Sequence, residues 1–220
     1  MGNQVYKQEA TSGRFDTRTE RNLMPKGIRL TEEEQQRRRK EIFDASVHLF
    51  LDKGFNETSM REIAQVVGVG KSTLYDYFKS KDDILISYFE GEIQDITASA
   101  QKIISQDLTI SQKLEQIMQM HLAYLVDKKN LFLKLTVEAQ RLALESQQQI
   151  QSARHAYQDM LRKLIEEGVQ SGEFRPVNPL FAARSVFTLL STAVFTSRPT
   201  GTPEEMLQEA LGIFFTGIRA

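Results

Sequence analysis

A chain of 220 residues, 40% hydrophobic and 26% charged, holds enough apolar material for a buried core in one domain or two small ones. It has no Cys and no Trp, and its three histidines (His48, His121, His155) are scattered without a His-Glu-x-x-His pattern, which excludes disulfides and thiolate sites and argues against a metal enzyme. The net charge of −1 excludes a broadly basic nucleic-acid binder: residues 1–80 carry 14 Lys and Arg against 12 Asp and Glu, and residues 81–220 carry 14 against 17, so any DNA contact must be locally focused.

Residues 1–30 are polar and lack apolar periodicity, which predicts a mobile arm. Met24, before Pro25-Lys26, is a candidate second start that would make the first 23 residues an extension. No apolar secretory core is present there, and no run approaches the roughly 20 apolar residues that span a bilayer. The longest candidate, "LFAARSVFTLLSTAVF", carries Arg184. A cytoplasmic protein without a membrane partner is expected.

From Thr31 onward nearly every segment repeats with helical period and none alternates as a strand, so the fold class is all-α. Helix starts are marked by Ser or Thr with an acidic residue three positions on, as in Thr31/Glu34, Ser59/Glu62, Ser80/Asp83 and Thr202/Glu205. Pro179 and Pro203 suit first-turn positions, and Gly54 suits a helix end. The map has about nine helices, near 31–53, 59–66, 70–77, 80–104, 110–127, 130–145, 147–170, 178–196 and 203–218.

Gly70-Lys71-Ser72-Thr73 has the form in which a phosphate-binding loop ends. The first glycine of such a loop belongs at position 65, where Gln65 stands, and the upstream "MREIAQVVG" is an amphipathic helix with Ile63, Ala64 and Val67 on one face. A buried strand would not carry Arg61, Glu62 and Gln65. A nucleotide hydrolase, the enzymatic reading, therefore fails; no catalytic residue and no cofactor is assigned.

Two short helices joined by Gly68-Val69-Gly70 form instead a helix-turn-helix. Ala64 permits close approach, Gly68 supplies positive φ, and Ile63, Val67, Val69, Leu74 and Phe78 are the apolar anchors. The second helix of such a unit enters the major groove with its first turn. Lys71, Ser72 and Thr73 are thus the base-reading candidates, with Tyr77, Lys79 and Lys81 near the phosphates. The N–H groups at the helix starts Ser59 and Ser80 also suit phosphate.

At this point "FNETSMREIAQVVGVGKSTLYDYFKSKDDIL" closely resembles the DNA-binding segment of the TetR/AcrR family of bacterial transcriptional repressors, over about residues 38–90. The resemblance implies an N-terminal three-helix DNA-binding domain (31–80, after the 1–30 arm) and a C-terminal helical effector-binding and dimerisation domain (81–220). Carried over by position, Thr58 and Ser59 are phosphate contacts, Lys71, Ser72, Thr73 and Tyr75 groove contacts, and Tyr77 and Lys81 backbone contacts. Gly70 and Ser72 depart from the usual family residues, so the operator is not transferable from relatives. "RRRK", residues 37–40, is a solvated charge face from which one or two arginines reach the DNA backbone, as does Arg29 from the arm.

In the larger half, Phe89, Ile93, Met118, Met120, His121, Tyr124, Phe132, Gln140 and Arg141 mix soft apolar surface with polar handles, the makeup of a pocket for a medium-sized apolar or aromatic ligand. Residues 178–196 and 203–218 are apolar almost all round, which predicts a two-fold four-helix interface through Phe187, Leu190, Val194, Leu211, Phe214 and Phe215. The expected function is a homodimeric repressor on a double-stranded DNA operator, released by a small apolar or aromatic effector. The alternative is an architectural DNA-binding protein of the same fold without an effector.

Overall fold

The computed structural model describes residues 30–219. The arm, the alternative start at Met24 and the Arg29 contact lie outside the described residues. Eight helices follow in order: α1 Glu32–Lys53, α2 Met60–Val67, α3 Lys71–Tyr77, α4 Lys81–Ile104, α5 Ile110–Ala139, α6 Leu144–Gln170, α7 Pro179–Phe195 and α8 Pro203–Ile218. The described residues contain no strand, only a single antiparallel bridge between Phe174 and Arg219.

The expected break near residues 128–129 does not occur. α5 runs unbroken through Asp127-Lys128-Lys129-Asn130, a polar stretch with neither Pro nor Gly to stop a helix. The fifth and sixth expected helices are therefore one, and the chain turns at residues 140–143 instead. All four expected capping boxes close with both reciprocal hydrogen bonds, and a fifth forms at Thr109 with Gln112.

Two cores result. The first joins Ile42, Phe50, Ile63, Ala64, Leu74 and Phe78 to Ile84, Leu85, Tyr88 and Phe89 of α4, and to Leu135, Ala139, Leu142 and Ile150 at the α5–α6 corner. The second lies among the rest of α4 and α5 and helices α6 to α8, centred on Leu114, Ile117, Met118, Leu161, Val186 and Leu190. α4 therefore contributes its first turns to one core and Ile96 and Ala100 to the other.

The end of the bundle away from α1–α3 is fastened by polar contacts. Glu173, in the α6–α7 turn, accepts hydrogen bonds from the Ile110 and Ser111 amides at the start of α5, at 3.0 and 2.7 Å. Burial opposes the charge on Glu173, but the bonds from Ser111, Ile110 and Thr109 outweigh it, and its pKa lies below the ordinary carboxylate value. Arg175 donates from its amide to Ile218 and from its guanidinium to Gly217, binding the same turn to the end of α8.

Gly168 on α6 is required by close approach. A Cβ there would stand 2.4 Å from the ring of Phe174, which is buried and held by the adjoining turn. Gly168→Ala should cost about 1–3 kcal/mol of stability through overpacking. Urea unfolding checks this; a midpoint equal to the parent's would show that Phe174 can move aside.

Candidate functional site: a helix-turn-helix surface and an aromatic cavity

The helix-turn-helix is built by local rules. Ser59 starts α2 with its hydroxyl and amide paired to Glu62, and Lys53 donates to the same carboxylate at 2.7 Å. The Lys53 hydrogen bond, then those of Ser59, hold Glu62 down at about 2. Gly68 ends α2 at φ 73°, a left-handed conformation that costs glycine no Cβ clash, and the turn runs through Val69 to Gly70 at the start of α3. Ile63, Ala64, Leu74 and Phe78 are buried beneath, with Val67 and Val69 packed at the edge. The preceding element is α2, a helix, which removes the strand that a nucleotide loop needs.

Outward, Ser59, Lys71, Ser72, Thr73 and Lys79 are exposed, and Tyr75 and Tyr77 are half-buried. The Lys71 ammonium stands 5.7 Å over the Tyr75 ring, one turn on. Lys79 donates to the Tyr75 carbonyl and so closes the end of α3.

Thr58 requires correction. It is 1% exposed, and its hydroxyl donates to the Gly54 carbonyl at 2.8 Å, so this side chain holds the α1–α2 turn and does not reach phosphate. Lys81 is also internal in function. Its ammonium donates to the Phe55 carbonyl at 2.6 Å and the Asn56 carbonyl at 3.3 Å, above the Phe55 ring. Within residues 37–40, Arg37, Arg38 and Lys40 pair along α1 with Glu41 and Asp44. Arg39 instead bridges α1, α3 and α4, donating to the Tyr77 carbonyl and the Ser87 hydroxyl over the Phe78 ring.

Between α4, α5, α6 and α7 lies a cavity of about 300 Å³. Of the expected lining residues, Phe89, Ile93, His121, Tyr124 and Phe132 are present in its wall. Met118 is fully buried in the second core, Arg141 lies on the surface paired with Glu138, and Gln140 lines a neighbouring groove. Residues that the sequence reading missed complete the wall, above all Tyr88, Glu92, Arg154 and Tyr157.

Phe187, expected at a subunit interface, also faces this cavity, its ring 5.4 Å from those of His121 and Tyr157. The remaining expected interface residues, Leu190, Val194, Leu211, Phe214 and Phe215, are buried within the single chain, where α7 and α8 pack on each other and on α5. The outward face of these helices shows Phe181 and Ile213 instead, 72% and 65% exposed.

Polar groups in the cavity are few and placed. The Tyr124 hydroxyl donates to Glu92 at 2.7 Å. Arg154 stands at the rim with its guanidinium 5.6 Å over the Phe89 ring. His121 Nδ1 and the Tyr157 hydroxyl are 3.3 Å apart. Burial pulls the His121 imidazole down to about 4, so it is neutral at physiological pH, and burial pushes the Tyr157 and Tyr124 phenols up. A groove of about 350 Å³ adjoins the cavity, sharing Arg154 and Gln158 and adding Gln140, Gln147, Gln151 and His155.

The profile described as "Bacterial regulatory proteins, tetR family" matches residues 42–88, and "Tetracyclin repressor-like, C-terminal domain" matches residues 107–218. The chain belongs to the TetR family of transcriptional regulators. This TetR-family regulator is 30% identical over 157 residues to the fatty acid metabolism regulator protein of Bacillus subtilis, covering 71% of this chain and 81% of that one. It is 24% identical over 185 residues to the transcriptional repressor KstR2 of Rhodococcus jostii, covering 82% and 91%. Among solved structures it is similar to FadR from Bacillus subtilis in complex with stearoyl-CoA, with a TM-score of 0.70 and 26% identity over 82% of this chain and 99% of that one. The family places the regulator among DNA-binding proteins and not among enzymes. No helix of its described residues is long and apolar enough to cross a membrane, and they hold no cluster of three metal-ligating side chains.

The neutral His121 carries a pH signature. Its ordinary value is 6.5 and its folded value is about 4, so between them the unfolded chain binds more protons than the folded one. Stability is fully present above pH 6.5 and declines as the pH falls toward 4. The melting temperature of the parent should drop from pH 6.5 to 5, and His121→Phe should flatten that slope; equal slopes in both proteins would show that His121 is not the group responsible.

Proposed function

We propose that the protein is a dimeric repressor that binds an operator through Ser59, Lys71, Ser72, Thr73, Tyr75 and Tyr77 and leaves it when an acyl thioester occupies the aromatic cavity. The carrying observation is the shape and chemistry of the paired hollows. The inner one is walled by Phe89, Ile93, Phe132, Phe187 and Phe195, which suits an acyl chain. The outer one is lined by glutamines, His155 and Arg154, which suits a polar, anionic head. An inner volume of about 300 Å³ is at the small end of ligand sites and points to a medium-length chain. The relative whose solved structure holds stearoyl-CoA supports the same ligand class. An open cavity also weighs against an architectural protein with no effector.

Release follows from shared walls. Tyr88 and Phe89 line the cavity and belong to the core beneath the helix-turn-helix, so an occupant that shifts them shifts α1–α3. Coupling of about 1–3 kcal/mol would change operator affinity about 5–150-fold. With an operator selected from a random duplex library, anisotropy should show binding that weakens with salt, loosening by decanoyl-CoA, and a loss of about 5–150-fold in Lys71→Ala at an unchanged melting temperature. Binding that ignores decanoyl-CoA, while Lys71→Ala still weakens it, would retain the DNA function and reject the effector.

Two-fold pairing uses the outward face of α7 and α8, where Phe181 and Ile213 leave large apolar surface in water. Phe181→Glu with Ile213→Glu should give a monomer by light scattering and abolish binding to paired half-sites. A dimer mass in that variant would place the interface elsewhere.

A further inference from the structure

Tyr88 belongs to two environments at once. Its ring lies in the core under the DNA-reading helices, stacked on Phe43 of α1 with centroids 6.1 Å apart, and it meets Phe89 edge-on at 5.2 Å. It also lines the effector cavity. The residue is 3% exposed, and its hydroxyl oxygen is buried with no hydrogen-bond partner among the described residues. A buried phenol in that condition calls for an explanation, and a ligand atom is one.

The surroundings define that atom. Glu92 follows Tyr88 by one turn of α4, lines the same cavity, and accepts the Tyr124 hydroxyl on Oε2. Burial, and then the Glu92 charge, push the Tyr88 phenol above its ordinary value, so it stays protonated and can donate. A carbonyl would satisfy Tyr88 and set its lone pairs against the Glu92 carboxylate. An ammonium would pair with Glu92 and leave the Tyr88 proton unused. A hydroxyl accepts from one and donates to the other.

We propose that the effector carries a hydroxyl group that sits between the Tyr88 phenol and the Glu92 carboxylate, making Tyr88 the specificity-determining residue of the cavity. This rests on the reading of the cavity as the effector site and narrows it: an unsubstituted chain leaves the Tyr88 oxygen unpaired, whereas a hydroxylated one completes it. Because the ring bearing that oxygen stacks on Phe43, the bond is made one side chain away from α1.

The test uses the full chain and two probes of nearly equal shape, 2-naphthol and naphthalene, measured by equilibrium dialysis against the parent and Tyr88→Phe. The variant keeps the ring and its stacking, and a retained melting temperature verifies its fold. It should bind 2-naphthol about 3- to 10-fold more weakly than the parent does and naphthalene equally well. Glu92→Gln should also weaken 2-naphthol selectively. Equal loss for both probes, no loss for either, or no binding of 2-naphthol to the parent overturns the proposal; a water molecule already held by Tyr88 would produce the second of these. A separate arm compares 3-hydroxydecanoyl-CoA with decanoyl-CoA in operator release. If neither thioester loosens DNA while the naphthol selectivity holds, the acyl reading falls and the hydroxyl site stands.

Discussion

The burial of the first turns of α4 in the core beneath the helix-turn-helix is the constraint from which the rest of this molecule follows. Ile84, Leu85, Tyr88 and Phe89 are all at most 3% exposed there. Each of the two leucine and isoleucine side chains contributes roughly 1.5–3 kcal/mol by leaving water. The same helix, over its next two turns, supplies Glu92, Ile93 and Ile96 to the cavity. The helix-turn-helix core and the cavity therefore share a helix, because α4 forms part of both walls.

The polar side chains around α2 and α3 are of two kinds. Thr58, Lys81 and Arg39 satisfy carbonyls at the end of α1, in the α1–α2 turn and at the end of α3, and so fix the frame. Ser59, Lys71, Ser72 and Thr73 remain exposed. Position along the sequence does not separate these groups, since Thr58 and Ser59 are neighbours with opposite fates.

That neighbour pair shows where sequence reading stops. Helix starts were legible because a capping box is a contact between residues three apart, and all four expected boxes are present. The turn at Gly68 was legible because positive φ restricts residue choice. Thr58 and Lys81 were misplaced because their partners are carbonyls reached only through tertiary folding. α7 was misread for a related reason: apolar residues occur on every face, and nothing local says which face meets what. Val186, Leu190 and Val194 enter the core, Phe187, Ser191 and Phe195 face the cavity, and Phe181 faces outward. The hydroxyl of Ser191 set between two phenylalanines four residues away on each side was the available signal. Tyr88, Glu92, Arg154 and Tyr157 were missed because they come from two helices that only the bundle brings together.

The polar fastening around Glu173 closes one end of the bundle, and the α5–α6 corner closes the other. At the Glu173 end, the turn after α6 is bonded to the first amides of α5 and to the last carbonyls of α8, with Gly168 leaving no slack against Phe174. At the opposite end, beside α1, the polar ties are exposed ones from Lys134 to Leu51 and from Asn56 to Glu138. There α5 and α6 are also joined by the turn at 140–143, whose Gln140 and Leu142 carbonyls accept from Gln147, and Leu135, Ala139, Leu142 and Ile150 bury the corner, so the two helices are held together at both ends. Room for an occupant has therefore to come from the other two walls, α4 and α7, and α4 is the helix that follows directly on the helix-turn-helix.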